Sequence, residues 1–251
     1  MSIDQFQQFT HSTEKITHPV FYAGEGPAII IIHELPGMVK ECIHFAERLI
    51  GEGFSVYMPL LFGQPGKMSM AGNLARLCVS WEFNLFAKRK TSPVVDWLRS
   101  LCRHIHSEKG GKGVGAIGMC LTGGFAIPMM VEPSLMAPVL SQPSLPLAMG
   151  KATLGTSDQD LKTAKERATS ENITIKAYRF SRDPFASAER MATYKSFFGE
   201  HFDYKELDSS QQKKHKKGCH SVFTLDFVNE PGHPTHDAYI DLVSYFKQQL
   251  C

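Results

Sequence analysis

The sequence predicts an α/β fold, a mostly parallel sheet with helices on both faces, and three observations predict it. Strand-like and helix-like stretches alternate along the chain, the pattern that pairs strands in parallel through helical crossovers. The run "PAIIIIH" (27–33) is continuously apolar and β-branched, as in a strand covered on both faces. The stretch "GVGAIGMCLTGGFAIPMM" (113–130) sets one cysteine between an apolar run and a helix-like run, with glycines crowding the join.

Each element has its own warrant. "VKECIHFAERLIGEGF" (39–54) spaces Cys42, Phe45, Ala46 and Leu49 along one helical face, and Gly51 and Gly53 end it. "FSVYMP" (54–59) reads as a second strand, stopped by Pro59. After a loop, 73–90 reads as mostly helical. "PVVDWLRSLCRHIHSEKGG" is a stronger helix, opened by Pro93 and closed by Gly110. "VGAIGM" (114–119) is the third strand and "LTGGFAIPMMVE" the helix after it. Then follow a strand at 136–143, a helix at 157–170, a strand at 173–180, a helix at 184–199, a strand at 202–207 and a closing helix near 236–250. No repeat interrupts the series, so one domain over residues 1–251 is expected.

Composition narrows the class. The 251 residues are 43% hydrophobic and 21% charged, and the formal net charge is +2, so nothing global calls for nucleic acid or a membrane. The N-terminal stretch lacks the basic and apolar segments of a signal peptide. Cys42, Cys78, Cys102, Cys120, Cys219 and Cys251 form no C-x-x-C pair and read as reduced thiols, which implies a cytoplasmic protein. The lysine run at 211–218 reads as a solvated loop. His104 and His106, two apart on a helix, face different ways, and the glycine-rich stretches at 24–27 and 108–115 lack P-loop spacing. No cofactor and no metal are expected.

The cysteine is the sharpest signal. Strand, tight turn and helix with a nucleophile at the turn is the nucleophile elbow of the α/β-hydrolase fold, here Gly118-Met119-Cys120-Leu121-Thr122 followed by Gly123 and Gly124. The backbone at such a turn is strained, so its neighbours must be small. Thr122 is larger than the usual glycine, and Gly123 takes part of its packing role. Cys120 at a helix N-terminus would meet amides that favour the thiolate. The Leu121 amide is a candidate oxyanion donor, and the loop "HELPG" after the strand at 28–32 offers the Leu35 amide as the second. Glu34, in the same loop, would sit near the thiol.

The sequence resembles the dienelactone hydrolases over roughly Ile29 to Phe246, most specifically in "HELPG", "GMCLTGG", "RFSRDPFASAERM" and "CHSVFT". The resemblance implies a cysteine nucleophile, with Glu34 keeping it neutral until substrate displaces the carboxylate. Chain order in this fold is nucleophile, acid, histidine. Asp183 follows a late strand in a polar turn, with Pro184 opening the next helix; Asp158 and Asp160 compete but look like a helix cap and first turn. His220 fits the family's glycine-x-histidine loop, while His233 and His236 are rivals by order alone.

The expected activity is hydrolysis of a small carboxylic ester or lactone through an acyl thioester. Acyl transfer by the same triad is one alternative, and a catalytically weak hydrolase-fold binding protein is another. Members acting on anionic lactones carry an arginine four residues beyond the histidine; here that position is Thr224. Arg76 could supply a cation and Trp81 could line a pocket, with Phe83 and Phe86 nearby. The protein would meet its small-molecule substrate as a monomer or small homo-oligomer.

Overall fold

The computed structural model describes residues 3–73, 82–83, 90–212 and 218–251. One eight-stranded sheet runs through them in the order β1-β2-β4-β3-β5-β6-β7-β8. β3 (Ala28–Ile32), β4 (Ser55–Pro59), β5 (Val114–Met119), β6 (Leu135–Ser141), β7 (Ile175–Phe180) and β8 (Phe202–Leu207) pair in parallel. β1 (Gln7–Ser12) and β2 (Thr17–Ala23) form an antiparallel hairpin whose second strand pairs with β4.

Alternation along β3 divides the core. Ile29 and Ile31 face α1 (Lys40–Gly51) and α6 (Pro234–Leu250), meeting Phe45, Leu49, Leu242 and Phe246. Ile30 and Ile32 face the other way, into a core with α2 (Pro93–Lys109), where Trp97, Leu98 and Leu101 are buried. That second core also takes in α3 (Ala126–Met129), α4 (Asp158–Ser170) and α5 (Ala188–Phe198). Both faces of the strand are therefore dry, which is why its sequence carries no polar alternation.

Three expectations change in detail, and the hairpin adds to them: β1 is exposed or half-exposed along its length and carries no apolar pattern to announce it. The helix expected after Cys120 is only a 3₁₀ turn (Cys120–Thr122) and the four-residue α3. Pro184 does not open a helix: α5 begins at Ala188, capped by the Ser187 side chain, which accepts from the Arg190 amide at 3.2 Å. The closing helix starts earlier, at Pro234, with His233 as its cap. Of the stretch read as helical at 73–90, residues 74–81 and 84–89 lie outside the described residues, as do 213–217 of the lysine run. Phe83 is buried in the core.

Adjacent β3 and β5 continue to opposite sides of the sheet, β3 toward β4 and β5 toward β6. Such a reversal opens a crevice at the carboxyl ends of the strands. His33-Glu34 and Cys120 leave β3 and β5 at that end.

Candidate active site

Cys120 follows β5 with a backbone φ of 58°, a conformation disfavoured for any side chain larger than glycine. Close approach explains the small neighbours. A Cβ on Gly118 would lie 2.2 Å from the carbonyl oxygen of Thr122, and one on Gly123 would lie 2.6 Å from the Cα of Pro143. The glycines let the chain fold back on itself and let the β6 loop pass beside the turn. Thr122 does more than fit. Its hydroxyl accepts from the Met119 amide at 3.2 Å, and its one proton has the carbonyl oxygens of Met119, Ile32 and His33 in reach at 2.9, 3.0 and 3.2 Å. The hydroxyl thus sits between the turn and the end of β3.

The thiol is buried, and its sulfur lies 3.4 Å from Ser144 Oγ, while the Ser144 amide donates to the Cys120 carbonyl at 2.9 Å. Donor atoms of Glu34, Cys120 and His220 lie within 4.8 Å of one another. His220 Nδ1 sits 2.8 Å from Asp183 Oδ2 and 2.9 Å from Oδ1, so it carries the proton toward the carboxylate. Nε2 is thereby turned inward and buried, on the side of the ring that faces the Cys120 sulfur. Burial opposes charging the imidazole, but the Cys120 charge and the Asp183 hydrogen bond outweigh it and hold His220 well above its ordinary pKa.

Asp183 is a turn residue as well as a partner of the histidine. Its Oδ1 accepts from the amides of Phe185 at 2.8 Å and Ala186 at 2.9 Å, which fixes the carboxylate before the ring arrives. The His220 backbone is set by Asp226, whose Oδ2 accepts from the His220 amide at 2.8 Å and the Ser221 amide at 3.0 Å. The exposed Phe185 ring stands edge-on to the imidazole, centroids 5.2 Å apart.

Glu34 is almost fully buried. Ser221 Oγ donates to its Oε2 at 2.7 Å and the Thr224 hydroxyl donates to its Oε1. Thr224, notable in the sequence for not being an arginine, is thus a hydrogen-bond donor to this carboxylate. The loop itself is braced by groups the sequence did not single out. His33 Nε2 accepts from the Leu61 amide at 3.2 Å, which leaves Nδ1 to donate to the Glu34 carbonyl at 3.2 Å. Burial keeps this ring neutral, its pKa lowered to about 4. Asn73 Nδ2 donates to the carbonyls of Leu35 and Pro36 at 3.3 and 3.2 Å.

The rivals are occupied elsewhere. Asp160 meets Thr91 and Arg99, Ser157 caps α4, and the His233 ring accepts from the Thr235 amide. Leu35 and Leu121 stand at the ends of β3 and β5 beside the site, and the leading amides of a helical turn have no intrahelical partner. Arg76 and Trp81 lie outside the described residues. A cavity of about 210 Å³ opens next to Asp183, lined also by Leu145, Lys151, Phe185 and Arg190.

A parallel sheet with a strained cysteine elbow at the carboxyl end of a central strand, and histidine and aspartate from later loops beside it, defines an α/β-hydrolase. More narrowly, the chain belongs to the dienelactone hydrolase family, whose model matches residues 17–205; that match includes Glu34, Cys120 and Asp183 and ends before His220.

Solved structures show the same fold at low identity. A cold-adapted esterase from an Arctic intertidal metagenomic library is 16% identical, with a TM-score of 0.66 over 98% of this chain and 94% of that one. A dienelactone hydrolase-like promiscuous phosphotriesterase from metagenomic libraries is 13% identical, TM-score 0.67, over 98% and 99%. A dienelactone hydrolase from Anabaena variabilis is 13% identical, TM-score 0.61, over 98% and 100%. No curated protein matches the sequence. Among the described residues, no helix is long and apolar enough to cross a membrane.

Proposed function

We propose that the protein is a cysteine-dependent hydrolase of small, uncharged carboxylic esters or lactones. The observation that carries this reading is the convergence of Cys120, His220 and Asp183, with the cysteine on a strained elbow and the imidazole proton directed to the carboxylate.

His220 Nε2 takes the thiol proton as the sulfur attacks the carbonyl carbon. The Leu35 and Leu121 amides receive the oxyanion, at roughly 3 kcal/mol per donor. As the tetrahedral intermediate collapses, His220 returns the proton to the leaving alcohol and an acyl thioester remains. His220 then deprotonates water, which attacks the thioester, and the returning proton restores the thiol. Asp183 holds the ring tautomer and stabilises the imidazolium throughout. This chemistry needs no cofactor.

One feature supports the substrate class. Thr224, at the position of an anion-binding arginine in the resemblance, is engaged with Glu34 instead. Esterase structures among those of the same fold agree with the reaction type. The buried, unpaired thiols of Cys42, Cys102 and Cys219 support a reducing, cytoplasmic setting.

The test is turnover of p-nitrophenyl acetate in a Cys78→Ser, Cys251→Ser background. Burial pushes the thiols of Cys42, Cys102 and Cys219 up, so iodoacetamide then reports Cys120. Alkylation and Cys120→Ala are expected to abolish turnover equally, and Asp183→Asn to lower kcat by about 10³–10⁴-fold. A stoichiometric burst without turnover would assign acyl transfer. Turnover that survives Cys120→Ala removes the cysteine from the mechanism.

A further inference from the structure

We propose that Glu34, Cys120 and His220 form a binding site for one soft divalent cation, Zn²⁺ being the ion their donors suit, and that its binding reversibly silences the site. The silencing rests on the hydrolase reading above; the binding does not.

The donor set is the first argument. A carboxylate oxygen, a sulfur and an imidazole nitrogen within 4.8 Å of one another match a zinc centre with three protein ligands and one open position. Zinc bonds of about 2.0–2.3 Å put neighbouring donors near 3.5 Å apart, so the widest gap closes by about 1 Å.

Second, the imidazole is already prepared as a ligand. Metal-binding histidines commonly donate their other ring N–H to a carboxylate, which fixes the ring and makes it more basic. His220 has this arrangement with Asp183 at 2.8 Å, and its buried Nε2 is left facing Cys120 and Glu34. Glu34 is supported in the same way, by the hydroxyls of Ser221 and Thr224.

Third, the charges balance. Among the described residues neither Glu34 nor Cys120 pairs with a lysine or arginine. Arg48 donates to the Phe223 carbonyl at 2.6 Å and lies 3.9 Å from the Phe227 ring centroid, Arg190 donates to the carbonyls of Pro143, Gly150 and Thr153, and Arg179 meets Ala186, Ser181 and Glu206. Glu34 as carboxylate and Cys120 as thiolate carry two negative charges where the imidazole of His220 can hold only one positive charge, and a divalent ion bound in place of its Nε2 proton neutralises both. On binding, metal bonds to the sulfur and to Nε2 replace the one proton that Cys120 and His220 hold between them, as S–H or as N–H, and that proton leaves to solvent. No atom changes oxidation state. The sulfur lone pair is then engaged and cannot attack a carbonyl.

Cobalt(II) titration of the purified protein tests the binding without requiring turnover. One Co²⁺ per chain with a thiolate-to-cobalt charge-transfer band is expected, discharged by Zn²⁺. Cys120→Ser should remove the band, Glu34→Gln should weaken binding by at least about 10-fold, and Cys251→Ser should leave both unchanged. On the unsubstituted protein, Zn²⁺ at 100 times its dissociation constant should slow alkylation of Cys120 by about 100-fold, and EDTA should restore it. Absence of the band, a band that survives Cys120→Ser, or zinc binding indifferent to Glu34→Gln would overturn the site. A band in a protein without esterase activity would uphold the site and remove the hydrolase reading instead.

Discussion

At the scale of single residues, Cys120 stands out in the sequence by its elbow and Asp183 by its turn after a strand, while His220 is picked from among three histidines by the family resemblance. Their supports were not readable. Thr122 looks in the sequence like an oversized substitute for glycine, yet its hydroxyl joins the elbow to the end of β3. Thr122→Val keeps the shape and removes that bond. We expect a loss of about 1–3 kcal/mol in urea unfolding, the cost of leaving the Met119 amide and a buried carbonyl unsatisfied, together with slower alkylation of Cys120. Unchanged stability and alkylation would reduce Thr122 to a filler. His33 has no local signal for the same reason, since its partner Leu61 lies 28 positions away; Asp226 braces its own loop, five and six residues back, through backbone amides that leave no side-chain pattern to read.

At the scale of elements, long periodic stretches were legible and short or wet ones were not. α2 and α6 announce themselves by spacing, whereas β1 alternates too weakly to separate from a loop. The helix behind the elbow was overread because "LTGGFAIPMMVE" is apolar, while two glycines and Pro128 confine it to a four-residue helix.

The closing helix is tied to the sheet by Asp241, which accepts from Tyr178 Oη at 2.6 Å and from Lys176 Nζ at 3.1 Å. Burial opposes ionisation of this carboxyl, but the Tyr178 and Lys176 contacts outweigh it and lower its pKa below the usual carboxylate value. The folded form therefore holds the charge further into acid than the unfolded chain does. The stability gained is complete above the unfolded value near pH 4 and is lost as pH falls through the lower folded value. Asp241→Asn is expected to cost about 1 kcal/mol at neutral pH, since the group is partly exposed. The deficit should vanish in strong acid. A pH series of urea midpoints checks both; a deficit that grows in acid has the sign wrong.

At the scale of the whole molecule, Glu34, Cys120, Asp183 and His220 come from loops after β3, β5, β7 and β8 and share no local segment. Their geometry exists only while both cores hold the strands in register. Turnover and the near-ultraviolet signal of buried Trp97 are therefore expected to disappear at one urea midpoint, with a single slope. Activity lost well before the tertiary signal would mean that the loop bearing His220 opens independently. The sheet order also explains why the crevice lies where it does, since β3 and β5 are neighbours whose chains continue in opposite directions.

By itself the sequence determined the alternation of strands and helices, the position of the elbow and the identity of the three groups proposed to act. The first two depend on local sterics and on burial patterns with fixed periods, which a linear chain displays; Asp183 and His220 rest on chain order in this fold and on the family resemblance. Only the tertiary structure decided how Glu34 is held, that Thr224 serves it as a donor, and that a carboxylate, a thiol and an imidazole face one another without a lysine or arginine between them among the described residues. Hydrogen bonds and charge pairs across 80 to 190 positions have no period in the chain; they come into being when strand ends meet.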